Sequence, residues 1–99
     1  GVSSSSALSV AASIVARQTY EDVPWKKKEE GQRMLRAACE AEWHYSGVRG
    51  GIMDQFASLY GKKGGALVLD CRSRRVRHVL EFPDDVGFLI INTNVKHSL

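Results

Sequence analysis

The apolar residues of this chain keep a helical spacing as far as residue 60 and then change to the spacing of strands. That single change of period restricts the fold more than any other feature. Helices must be grouped first and strands second, which is the pattern of an α+β arrangement and not of alternating βαβ units. Within Ala7 to Gln18, Leu8, Ala11, Ala12, Val15 and Ala16 recur at helical spacing, and a largely buried helix is expected. Lys26 to Tyr45 carries two adjacent stripes, Met34/Ala37/Ala38/Ala41/Tyr45 and Leu35/Ala38/Cys39/Glu42, with Gly31 weakening the helix early. "IMDQFASLYG" predicts a short third helix with Ile52, Phe56 and Leu59 on one side and Gly61 as its C-cap. Tyr20 to Trp25 and the glycine-rich Ser46 to Gly51 read as loops. Beyond them, "GALVLDC" reads as a strand. "RVRHVLEF" alternates, with Val76, His78, Leu80 and Phe82 on one face. "PDD" is a turn, and "VGFLIINT" is expected to be a buried strand.

Bulk properties remove several classes of function. With 99 residues the chain holds one small domain, and 43% hydrophobic content argues against disorder. A net charge of +3 is too small to argue for nucleic acid, although it would not repel a phosphorylated ligand. Cys39 and Cys71 lack metal-ligand spacing and read as reduced thiols of a cytoplasmic protein. The three histidines show no metal spacing either. No signal peptide is seen, and no apolar run is long enough to span a membrane. The sequence starts at Gly1 and stops just after an apolar run, so it is expected to be a piece of a larger protein whose other parts cover some of its apolar faces.

Four stretches could carry chemistry. "GVSSSSAL" places a glycine and small hydroxyl residues before a helix. That serves as a linker, as an over-provided N-cap, or as an anion cradle of backbone N–H groups with a serine hydroxyl for Mg²⁺. It is no Walker loop, because GxxxxGK[ST] is absent. Glu42 lies on a partly buried stripe and needs hydrogen bonds, a metal or a cation; a salt bridge is the simpler account. Asp54 follows two glycines at a helix start. It serves there as a dipole-favoured acid or as a group that accepts a hydroxyl proton. The basic run "CRSRRVRH" has no aromatic interleaving and reads as a solvated hairpin. Taken together, a phosphate cradle, a carboxylate for Mg²⁺ and an acid beside a glycine loop are the parts that phosphoryl transfer requires.

At these same residues the chain resembles the GHMP kinases, in their galactokinase form. "GVSSSSALSVA" is similar to the family's second motif, GLSSSASLEVA. "AEWHYSGVRGGIMDQFASLYGKKGGALVLDCRS" resembles the stretch that contains CGIMDQF and DCRS, and "NTNVKHSL" resembles a later segment. The resemblance implies a GHMP kinase-like α+β fold in two layers, with helices packed on a mixed β-sheet, of which residues 1–99 are a partial domain lacking the N- and C-terminal parts of the enzyme. It implies ATP and Mg²⁺ as cofactors and transfer of the γ-phosphoryl group to the anomeric hydroxyl of galactose. Gly1, Val2, Ser3, Ser4 and Ser5 match the phosphate loop, Ser5 and Glu42 match the Mg²⁺ ligands, Asp54 matches the catalytic acid, and Gly51 with Asp54 matches positions against the sugar. The implied protein is a cytoplasmic monomer when full length, with no nucleic-acid or membrane partner.

The chain departs from the family pattern at Ser6, where alanine is usual, at Ser9, where glutamate is usual, and at Gly50, where cysteine is usual. None of the three is assigned to chemistry. The family's N-terminal motif, which carries an arginine and most sugar contacts, is not in this sequence, and neither are its C-terminal glycine-rich motif and a later tyrosine. The 99 residues alone are therefore expected to be inactive. Kinases for N-acetylgalactosamine, arabinose or galacturonate, and a non-catalytic transcriptional regulator of the same family, remain as alternatives.

Overall fold

The computed structural model describes residues 3–21, 27–45, 47 and 50–95, with the backbone alone for 27–29. Three helices, α1 (Ser4–Glu21), α2 (Lys27–Tyr45) and α3 (Met53–Tyr60), precede the strands β1 (Gly65–Asp70) and β2 (Arg75–Glu81). The α+β order read from the change of period is the order observed. Among the described residues the sheet has two antiparallel strands, where a mixed sheet was expected. The helices pack on one another, and α3 meets β1.

The core lies between the three helices. Val10 of α1, Met34, Leu35 and Ala38 of α2, and Phe56 and Leu59 of α3 form it, flanked by Ile14, Ile52, Tyr60, Leu69 and Val76. For α1 this corrects the sequence reading. The predicted stripe faces outward, with Leu8 71% and Val15 60% exposed, and the covered side carries Ser6, Val10, Ile14 and Arg17. Periodicity could not choose, because α1 is apolar on more than one side. The polar ends of the covered face decide: Ser6 bonds to Glu42, and Arg17 donates Nε to Glu30 Oε1 at 3.0 Å. Both partners are on α2. On α2 the Leu35/Ala38/Cys39/Glu42 stripe is the covered one; Ala37, Ala41 and Tyr45 of the other stripe are exposed. Burial pushes the Cys39 thiol up, as for an inert structural cysteine.

Gly31 and Gly61 have packing reasons. A Cβ on Gly31 would lie 2.0 Å from Tyr60 Oη and 2.8 Å from Cζ. Gly31→Ala is therefore expected to destabilise by about 1–3 kcal/mol through overpacking. The alanine gains only about 1 kcal/mol of helix propensity in return. Urea unfolding measures the difference, and a stabilised variant would refute the contact. Gly61 ends α3 as expected, with its N–H donating to Ala57 O at 2.9 Å, but its φ of −51° is not left-handed. Glycine is needed there because a Cβ would stand 2.5 Å from that same carbonyl.

The hairpin pairs Gly65 with Glu81 and Asp70 with Arg75, with a register shift between Val68 and Leu69. Leu69 faces Val76 and Val68 faces His78, so Arg77 is an extra residue on β2. That bulge reverses the alternation beyond it. Val76 and Val79 are covered, while His78 and Leu80, predicted on the same face as Val76, are exposed. The basic run is the expected solvated turn. Asp70 Oδ1 accepts the N–H groups of Ser73 and Arg72 at 3.1 and 3.0 Å, and Arg77 donates to Oδ2. The Ser73 amide and the Arg77 guanidinium hold the carboxyl of Asp70 well below the usual carboxylate range.

"VGFLIINT" is not a buried strand. Phe88, Leu89, Ile90 and Ile91 are 72–86% exposed, and no ladder includes them among the described residues. The preceding turn is as read, with Val86 N–H donating to Pro83 O at 3.1 Å, and the Phe88 ring stands edge-on to that of Phe82 at 4.8 Å, centroid to centroid. A strand is stabilised by the neighbour it pairs with, and apolar content cannot supply one.

Candidate active site

An open cleft of about 500 Å³ collects nearly all the residues singled out in the sequence: Ser3, Ser4, Ser5, Glu42, Gly51 and Asp54. Gly1 and Val2, expected in the phosphate loop, lie outside the described residues. Three elements build the cleft. The N-terminus of α1 supplies the serines, the last turn of α2 supplies Glu42 and Trp43, and the glycine loop with the first turn of α3 supplies Gly50, Gly51, Asp54 and Gln55.

Ser3 precedes α1 with a positive φ of 54°, and its carbonyl accepts the first helical bond, from Ala7 N–H at 3.1 Å. The amides of Ser4, Ser5 and Ser6 thus come before the first intrahelical bond, at the positive end of an 18-residue helix. Such an end favours an anion.

Glu42 is half-buried and accepts side-chain hydrogen bonds from two other helices. Ser5 Oγ donates to its Oε1 at 2.6 Å, Ser6 Oγ to Oε2 at 3.0 Å, and Gln55 Nε2 to Oε2 at 2.5 Å. These bonds, that of Ser5 first, keep the carboxyl below its ordinary value despite burial. Asp54 is half-buried in the first turn of α3 and makes no hydrogen bond among the described residues. Its carboxylate is therefore available to a ligand in the cleft. Among the described residues a Cβ on Gly50 or Gly51 would meet no atom within 4 Å, so neither glycine is required by their packing.

Ser5 and Glu42 fit a shared magnesium ion. Ligands at about 2.1 Å on adjacent corners of an octahedron stand about 3 Å apart. The Ser5–Glu42 oxygens, at 2.6 Å, are close to that separation already. No group of three or more His, Cys, Asp or Glu side chains able to hold a metal occurs among the described residues. The remaining ligands would come from phosphate and water, as is usual for magnesium.

Three residues at the site were missed in the sequence. Gln55 is 2% exposed and Ser6 4%, and Trp43 Nε1 donates to Gly50 O at 3.2 Å, tying α2 to the glycine loop. Gln55 had a legible signal. It stands three residues after Ile52 and next to Phe56, a polar side chain on an otherwise apolar stripe. Ser6 was legible as one of the Ser3 to Ser6 candidates for an N-cap and as a departure from the family pattern, but not as a partner of Glu42.

Comparison with known proteins covers the same segment. The family description "GHMP kinases N terminal domain" matches residues 1–62. Galactokinase from Homo sapiens is 42% identical over 101 aligned positions, which take in all of this chain and 24% of the human protein. The chain thus spans about a quarter of the length of that relative. No solved structure matches it. Since the matched segment includes the serine tract, Glu42, Asp54 and well over half of the chain, this protein belongs to the GHMP kinases.

Proposed function

We propose that this chain is the phosphate- and metal-binding part of a galactokinase, in which ATP phosphorylates the anomeric hydroxyl of galactose. The observation that carries the reading is one cleft shared by an anion-favouring helix end, the Ser5–Glu42 pair and the Asp54 carboxylate. The similarity to human galactokinase supports galactose as the acceptor.

In this reading the free amides at the start of α1 hold the phosphate oxygens of ATP. Ser5 and Glu42 would hold Mg²⁺, which when bound would neutralise charge on the transferring phosphoryl group. Asp54 accepts the proton of the sugar hydroxyl as its oxygen bonds to the γ-phosphorus. The bridging bond to ADP breaks, and ADP leaves with the electron pair. Gly51, which carries no side chain, lets the sugar approach Asp54 closely. Sugar contacts beyond these come from parts of the protein outside this chain.

The test is ADP release by the product of the complete reading frame, with Mg²⁺ and ATP, across galactose, N-acetylgalactosamine, arabinose and galacturonate. Galactose is expected to give the highest kcat/KM. Preference for another sugar moves the substrate and leaves the chemistry. ATP binding without turnover on any sugar refutes the enzyme in favour of a regulator.

A further inference from the structure

We propose that Ser6 and Gln55 are positioning residues that hold the inner oxygen of Glu42, so that its outer oxygen stands with Ser5 towards a divalent cation. The proposal rests on the reading of Ser5 and Glu42 given above.

The two oxygens of Glu42 meet different surroundings. Oε1 accepts from Ser5, which is exposed at the cleft. Oε2 accepts from Ser6 and Gln55, both buried. A glutamate side chain has three torsions, and rotation of the last exchanges its oxygens. Two donors fixed in the interior remove that freedom. They come from different helices, and each is anchored by the core: Ser6 is one turn before Val10 on α1, and Gln55 adjoins Phe56 on α3. The α2 carboxylate is thereby gripped from both sides.

The Gln55 amide shows which interaction sets its orientation. Its Oε1 is buried and has no hydrogen-bond partner among the described residues. An orphaned buried carbonyl is a cost to the fold. Turning the amide over would place Oε1 against Oε2 of Glu42, acceptor facing acceptor, so the orphan follows from donating Nε2 to the carboxylate. Both donors are neutral, so they orient Glu42 without adding a positive charge that would compete with a bound cation. Ser6 stands where the family pattern usually has alanine, so its hydroxyl is a further donor in this chain.

The test uses the full-length protein and Mn²⁺ binding read by electron paramagnetic resonance, with a non-hydrolysable ATP analogue present. Ser6→Ala removes one hydroxyl, and Gln55→Leu keeps most of the side-chain bulk. Loss of a group that orients a metal ligand weakens metal binding roughly 10- to 100-fold. Gln55→Leu is expected in that range and Ser6→Ala near its lower end. Activity of both should be restored at high Mg²⁺, which a general loosening of the fold would not allow. Glu42→Gln is measured beside them. If it leaves Mn²⁺ affinity unchanged, the reading of Glu42 as a ligand fails. If it weakens Mn²⁺ while Ser6→Ala and Gln55→Leu stay within about 2-fold of the parent, against the range expected, the positioning proposal is overturned with that reading intact. Activity that high Mg²⁺ does not restore overturns it too. Ser6→Ala remains decisive if Gln55→Leu fails to fold.

Discussion

Asp54→Asn in the full-length protein is expected to lower kcat by roughly 10²- to 10⁴-fold, the usual contribution of a positioned general base. Asparagine matches aspartate in shape and so preserves the first turn of α3. It cannot take up the hydroxyl proton. Folding should change little, because an acid in the first helical turn contributes only about 0.3–1 kcal/mol through the dipole. Asp54 makes no hydrogen bond among the described residues that the substitution would strand. Sugar and ATP affinities, read by titration calorimetry, should stay within a few-fold while ADP release collapses. A variant that retains more than about a tenth of the parent kcat, far above the loss expected for a general base, would remove Asp54 from the chemistry.

Phe56→Ala is expected to destabilise by about 3–5 kcal/mol. Phe56 is 2% exposed and is the largest fully buried side chain among the described residues. It belongs to the core cluster that all three helices form and lies 5.7 Å, centroid to centroid, from the Tyr60 ring. Truncation leaves a cavity where α1, α2 and α3 meet, directly beside Gln55 and two residues from Asp54. A loss of that size is a large share of the about 5–15 kcal/mol typical of a domain. Urea unfolding measures it, with Leu80→Ala as the contrast. Leu80 is half exposed on the hairpin and should change stability by less than about 0.5 kcal/mol. Equal effects at the two positions would show that the core is not where the structure puts it.

The parts that could be read without coordinates were those set by local rules. Helix positions follow from a 3.6-residue spacing that neighbouring residues alone establish, so α1, α2 and α3 lie close to their predicted bounds. The β1–β2 hairpin follows from two apolar runs around a polar turn. The residues that line the cleft were legible as motifs, a serine tract before a helix and an acid after two glycines. Tertiary contact decided the rest. It chose the Ser6/Val10/Ile14 face of α1 over the Leu8/Val15 face, since an evenly apolar helix is turned by whichever of its polar residues find partners. One extra residue, Arg77, turned His78 and Leu80 outward, because strand faces alternate every residue and a bulge resets them. Tertiary contact left Phe88 to Ile91 without a ladder among the described residues, since pairing needs a second strand. It also brought Gln55 and Ser6 onto Glu42, 13 and 36 residues away along the chain. Hydrogen bonds across such separations depend on how helices dock, and no period or local motif encodes that.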